Sequence, residues 1–187
     1  MSEPNSLFAK IHITKENFDN FLKASPTTPK LDENWLQWWD SREMHDSAQL
    51  EEKNLIAYPE STNEAIIEWW KGDRYSFTFS DYDLENEIWN FGIYMFSENY
   101  YEMIPGLAFL KSMAELKTKN EEDFAIVYNF HWIGDDVSAF ILYKNIEALI
   151  DIKVQSTEDI DPKFIGYANE YLEKKMKQFV EGVEDSD

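Results

Sequence analysis

Residues 75–110 combine many carboxylates and aromatic rings with a complete lack of basic side chains. These 36 residues hold eleven aromatic rings and six acids, and contain no Lys, Arg or His. The acids are Asp81, Asp83, Glu85, Glu87, Glu98 and Glu102. Rings supply packing area and carboxylates supply a negative field. This stretch can therefore build part of a core and also present a negative face to a cationic partner.

Four of these acids, Asp81, Asp83, Glu85 and Glu87, alternate along the chain next to Tyr82. On an extended segment, side chains two residues apart lie on the same face, so all four carboxylates would point one way. Like charges at that spacing repel, and a basic surface would relieve the repulsion. A solvated turn between two strands is the alternative interpretation.

A second acidic group, Asp135 and Asp136, follows Trp132. Two strand patterns, residues 123–133 and 137–144, flank residues 134–136 and indicate a hairpin. The two aspartates would then form a protruding acidic tip with an apolar neighbour, although Asp is also an ordinary turn residue.

No motif indicates a reaction, a metal site or a cofactor. Counted from Asp81, the glycine and the final carboxylate that a calcium loop requires are replaced by Asn86 and Gly92. The three histidines, His12, His45 and His131, lack a second ligand at a metal-binding spacing. The chain has no cysteine, which excludes thiolate catalysis and cysteine-based zinc sites. We therefore assign no catalytic residue, metal or cofactor from the sequence.

The net charge indicates which classes of partner this chain attracts and which it repels. Its 187 residues carry 37 acids against 17 bases, a net charge of −20. Nucleic acids and anionic membranes should be repelled, whereas a basic protein should be attracted. The N-terminus has neither the basic segment nor the apolar segment of a signal peptide, and no apolar run approaches about 20 residues. We therefore expect a cytoplasmic protein.

Hydrophobic periodicity predicts an α+β fold in one domain, residues 1–187, with a frayed acidic tail at 181–187. We expect a mainly antiparallel sheet of five to six strands packed against helices, with a C-terminal helix over about residues 161–181. The strand patterns cover residues 7–13, 75–79, 87–96, 123–133, 137–144 and 150–154. The helical patterns cover residues 14–24, 35–39, 62–72, 97–116, with a break near Pro105, and 161–181.

Two adjacent tryptophan pairs lie on predicted helices, Trp38 with Trp39 and Trp69 with Trp70. Neighbouring residues on a helix point about 100° apart. One member of each pair should therefore be partly exposed, where it could take part in binding.

These features favour an acidic inhibitor, specifically a bacterial immunity protein that binds and blocks a basic, nuclease-type toxin. The expected binding residues are Asp81, Tyr82, Asp83, Glu85, Glu87, Trp132, Asp135 and Asp136. A small-ligand domain or enzyme with a pocket lined by Trp and Tyr is one alternative, and a structural or regulatory interaction module is another. Charge by quarters reaches −8 in residues 51–100, which favours a patch over an even spread.

Overall fold

A six-stranded antiparallel sheet lies at the centre of the computed structural model, which describes residues 3–27, 29–42, 49–56, 58, 61–132 and 134–184. The strands are β1 (Asn5–His12), β2 (Thr78–Asp83), β3 (Ile88–Ser97), β4 (Phe124–Tyr128), β5 (Val137–Lys144) and β6 (Glu147–Ile150). The helices are α1 (Lys15–Lys23), α2 (Glu33–Asp40), α3 (Asn63–Gly72), α4 (Tyr100–Lys111) and α5 (Pro162–Glu184). The predicted α+β class and C-terminal helix are confirmed. His45 and residues 185–187 of the predicted tail lie outside the described residues.

The strand order β2-β3-β1-β4-β5-β6 defines two ends of the sheet. At one end Asp83 faces Ile88 across the β2–β3 pair, and Ile88 faces His12. At the other end Ser97 faces Asn5. We call the first the hairpin end and the second the far end.

Helices cover both faces of the sheet because its central strand is apolar on both sides. In β1, Leu7, Ala9 and Ile11 point into a core shared with α1, α2, α3 and α4. Phe8 points the opposite way, into a second core with Ala168 and Leu172 of α5. Alternation of side chains along a strand makes this double burial possible.

Polar residues placed just before each helix satisfy its first backbone N–H groups, which have no partner within the helix. The side chains of Thr14, Asp32, Thr62 and Asn99 accept hydrogen bonds at the starts of α1, α2, α3 and α4. The start of α3 at Asn63 agrees with the predicted helix over residues 62–72.

Four elements differ clearly from their predicted positions. β4 ends at Tyr128, whereas the predicted strand continued to residue 133. β2 begins at Thr78 rather than residue 75, because Ser76 is held in a turn by hydrogen bonds to Trp70 and Asp73. β6 ends at Ile150, where a strand over 150–154 was expected, because a tight turn with Asn145 at φ 54° reverses the chain directly after β5. α4 continues through Pro105, and the predicted break is wrong.

The residue after that proline explains why α4 packs closely against the sheet. A Cβ atom on Gly106 would lie 2.5 Å from Cζ of Phe96, closer than real contacts allow. The glycine lets the α4 backbone approach the β3 ring, which fixes the helix on the sheet even though its proline removes one backbone donor.

A fully buried carboxylate joins β1 to the start of β4. Asp123 Oδ1 accepts from the His12 backbone N–H at 2.9 Å and lies 2.5 Å from Nδ1 of the same residue. Its other oxygen lies 3.1 Å from Nζ of Lys117, and both of these side chains are fully buried. Lys117 also donates to the carbonyl oxygens of Thr118 and Asn120. The network ties the loop before β4 to the end of β1.

Replacing Asp123 with Ala should lower the free energy of unfolding by about 3–5 kcal/mol, because the substitution leaves the Lys117 ammonium buried without its counter-charge. Urea denaturation followed by tryptophan fluorescence measures this loss. Asp19→Asn is the control, since it breaks only the exposed Lys15–Asp19 pair and should cost less than about 1 kcal/mol. Equal losses in the two variants would contradict a stabilising buried network.

Candidate functional site: an acidic face at the hairpin end

Asp83 shapes the turn that joins β2 to β3. Its Oδ1 accepts from the backbone N–H groups of Glu85 and Asn86 at 3.0 and 3.1 Å, and its Oδ2 accepts from the Asn86 side chain at 2.7 Å. Glu87 completes the reversal in the left-handed region, at φ 53°. These hydrogen bonds lower the pKa of Asp83 below its ordinary value, and the bond from the Asn86 side chain contributes most.

The four alternating acids do not share one face, and that expectation is wrong. β2 ends at Asp83, so Glu85 and Glu87 lie in the turn rather than on an extended strand. Asp81 lies under α5, where Lys175 Nζ is 2.8 Å from its Oδ2 and the Tyr171 hydroxyl donates to the same atom at 3.0 Å. Its charge is thereby compensated within the protein.

Tyr82 points to the opposite face of the sheet from Asp81. The carboxylates of Asp19, Asp83 and Glu87 lie near it. Its ring stacks on Phe18 of α1 with centroids 4.8 Å apart, and its hydroxyl donates to the Ile13 carbonyl at 2.9 Å. Burial raises the pKa of Tyr82, and the charges of Glu87, Asp19 and Asp83 raise it further. Asp19 of α1 pairs with Lys15, whose Nζ lies 5.7 Å from the centroid of the Tyr82 ring, so Asp19 belongs with the hairpin acids. We call Asp19, Tyr82, Asp83, Glu85 and Glu87 the acidic face.

A groove of about 170 Å³ extends the acidic face between α1, α3 and β2. Its lining residues are Phe18, Leu22, Glu64, Ile67, Glu68, Lys71, Ser80 and Tyr82. Glu64 and Glu68 add two carboxylates, while Lys71 pairs with Glu68 at 2.7 Å and Lys15 pairs with Asp19. The acidic face and the groove together hold six carboxylates and two lysines, an excess of four negative charges, beside the apolar side chains of Phe18, Leu22 and Ile67. Leu84, 68% exposed, adds an apolar tip to the hairpin.

The second predicted group lies at the far end of the sheet, away from the acidic face. β4 ends at Tyr128, which faces Ser6 near the start of β1, whereas the hairpin adjoins His12. At a rise of about 3.3 Å per residue, Ser6 and His12 alone lie roughly 20 Å apart. Trp132, Asp135 and Asp136 thus cannot form one continuous surface with the hairpin acids.

Asp135 and Asp136 are also not a protruding tip. Asp135 Oδ2 accepts from Ser156 Oγ at 2.7 Å and its carbonyl accepts from the Thr157 N–H at 2.8 Å. Asp136 forms a β-bridge with Ser156. The segment before α5 therefore holds both aspartates against the protein, while Trp132 beside them stays 39% exposed.

The two tryptophan pairs differ in their solvent exposure. Trp69 is 65% exposed and Trp70 is buried, as predicted. Trp38 and Trp39 are both buried, which corrects the prediction for that pair. The reason is that α4 covers α2: Trp38 contacts Tyr100 edge-on, and Trp39 contacts Tyr101 with centroids 4.5 Å apart.

Sequence reasoning missed Asp19, Glu64 and Glu68. These acids come from helices far from the hairpin in the chain, so only the tertiary arrangement brings them beside Tyr82. A local signal existed for one pair, because Glu64 and Glu68 are four residues apart and share one face of α3.

The described part of the chain offers few other side chains that could bind a metal or transfer a proton. There, no group of three His, Asp or Glu side chains could hold a metal ion. His12 belongs to the buried Asp123 network, and burial lowers the pKa of His131. No helix of the described residues is long and apolar enough to cross a bilayer.

Comparison with known proteins gives no assignment: no family model, no curated protein and no solved structure matches this chain. Its function must therefore be argued from its own residues.

The pKa of Asp83 should rise towards 3.8 when Asn86 is replaced by Ala, because its strongest hydrogen-bond donor is lost. Since this pKa is lowered in the folded state, Asp83 stabilises the fold above pH 3.8, and the contribution disappears as pH falls through the folded value. Carboxyl ¹³C NMR titration measures the midpoint. Asp159, whose pKa is lowered by backbone hydrogen bonds from Gln155 and Ser156, is the internal control and should not move. An unchanged Asp83 midpoint in Asn86→Ala would contradict the role assigned to this turn.

Proposed function

We propose that this protein binds and blocks a basic protein through the acidic face, and that it is an immunity protein directed against a cognate nuclease-type toxin. The observation that carries the proposal is that α1, with its Lys15–Asp19 pair, packs on the half-buried ring of Tyr82 beside the hairpin acids Asp83 and Glu87. Carboxylates from two separate elements converge there, which an acidity serving only solubility would not require.

The electrostatic argument concerns approach and specificity. With a net charge of −20 the whole molecule attracts cations, and a local excess of carboxylates over lysines sets the orientation in which a basic partner docks. Complementary charge of this kind accelerates association and rejects partners of like charge. Asp81, compensated by Lys175, contributes little to this field.

Apolar surface at the same place would supply contact area that excludes water. Leu84 is exposed at the tip of the hairpin, and the Tyr82 ring continues into the groove between α1 and α3. Binding sites generally place such apolar and aromatic side chains at the centre and charged side chains at the rim. The acidic face has both kinds of side chain within one surface.

The proposed mechanism is occlusion. A nuclease binds phosphates with Lys and Arg side chains, and the carboxylates of Asp83, Glu85 and Glu87 present the same charge sign to that surface as the nucleic acid does. A docked acidic face would exclude the substrate by charge and by volume. No chemical step by the inhibitor is needed.

Neutralising the hairpin with Asp83→Asn, Glu85→Gln and Glu87→Gln should weaken toxin binding by at least about tenfold at low salt, because the long-range attraction is lost. The partner to use is a basic, nuclease-type toxin domain, to be sought as the C-terminal domain of any large secreted protein encoded directly upstream of this chain. Titration calorimetry at two salt concentrations measures affinity and its salt dependence, which should also decrease.

The control variant removes equal charge away from the hairpin end. Glu158→Gln, Glu173→Gln and Glu181→Gln change three exposed residues, and should affect affinity far less. If the hairpin variant keeps wild-type affinity and wild-type salt dependence, the acidic face is not the binding surface.

A further inference from the structure

A buried arginine with unused hydrogen-bond donors lies beside a polar cleft at the far end of the sheet. Arg42 follows α2 and is only 7% exposed. Its Nη1 donates to the Val137 carbonyl at 2.9 Å, while Nε and Nη2 are buried and have no hydrogen-bond partner. Among the described residues, no carboxylate forms an ion pair with it.

The two unused nitrogens form one side of the guanidinium group. Nε–H and Nη2–H point in parallel and together make the fork that binds a carboxylate through two hydrogen bonds. Burial of the guanidinium lowers the pKa of Arg42, and the nearby Tyr100 hydroxyl partly offsets this effect. An anion on the Nε/Nη2 side would supply the hydrogen-bond acceptors that these two nitrogens lack.

The cleft has room and polarity for a small ligand. It encloses about 480 Å³, within the range of small-molecule sites. Its described lining consists of Glu3, Asn5, Arg42, Tyr100, Asn129, Asp136, Val137, Ser138 and Gln155. Tyr100 lies over the guanidinium, with its ring centroid 6.0 Å from Cζ of Arg42. Nε and Nη2 are buried behind this lining, so a ligand that bonds them must displace a lining side chain.

The charges around the cleft restrict the ligand class. One guanidinium and two carboxylates, Glu3 and Asp136, line the cleft, and the carboxylates repel a doubly charged phosphate but suit an ammonium group. Amide side chains such as Asn129 and Gln155 supply further donors and acceptors. We propose that this cleft binds a small zwitterion of the free α-amino acid class, with its carboxylate on the Nε/Nη2 side of Arg42 and its ammonium towards Asp136 and Glu3.

This proposal is independent of the acidic face, which lies at the other end of the sheet, and either can fail without the other. It also gives a role to Asp136, which docking at the hairpin end leaves unused.

The chain itself offers a direct spectroscopic test, because Arg42 and Arg74 are its two arginines. The ¹H–¹⁵N spectrum of the wild-type protein should show two Nε–H resonances, and Arg74→Lys assigns them without disturbing the cleft. The probes are the free α-amino acids, added one at a time, with sodium acetate, methylamine and inorganic phosphate as comparison ligands.

At least one amino acid should shift the Arg42 resonance and bind at least about tenfold more tightly than acetate or phosphate, since it engages both charged sides of the cleft. Arg42→Met should weaken that binding at least about tenfold, whereas the matched variant Arg74→Met should leave it unchanged. Asp136→Asn should weaken binding of the amino acid and should not weaken binding of acetate, because the lost carboxylate attracts the ammonium group and repels an anion.

The wild-type titration keeps the proposal testable even if Arg42→Met fails to fold. An Arg42 resonance that responds to no amino acid overturns the proposal. So does a response to phosphate or acetate as strong as that to any amino acid, and so does a shift of Arg74 alone.

Discussion

The double burial of strand β1 is the constraint on which the rest of the structure depends. Leu7, Ala9 and Ile11 require helices on one face of the sheet, and Phe8 requires α5 on the other. Once both faces are covered, exposed charge can lie only at strand ends, in turns and on the outer sides of helices. The two sites described above are direct results, since each lies at one end of the same covered sheet.

The sequence predicts the elements with strong periodicity and local caps better than those fixed by packing. β5 begins at Val137 and ends at Lys144, as its alternation predicts, and α5 begins directly after Asp161 as its proline indicates. β6 is displaced because Asn145 adopts a positive φ, which alternation cannot reveal. Pro105 is accommodated within α4 because the Gly106–Phe96 contact holds the helix on β3, and that contact is a tertiary property.

The candidate site shows the same difference between features with a local sequence signal and features fixed by tertiary packing. Tyr82, Asp83, Glu85 and Glu87 are neighbours in the chain, so their composition could be recognised directly. Lys175, which compensates Asp81, lies 94 residues further along the chain, and no local pattern connects the two. Arg42 is isolated in the sequence, and only the structure shows that its guanidinium is buried with two nitrogen donors that have no hydrogen-bond partner.

The placement of α5 has a consequence for synthesis of the chain. α5 covers much of the aromatic face formed by Phe8, Phe124 and Tyr94, and it is translated after all six strands of the sheet. Until α5 docks, this aromatic face stays open to water. The nascent polypeptide is thus vulnerable to aggregation during that interval, and a chain stalled short of residue 162 would expose a sticky aromatic surface to chaperones.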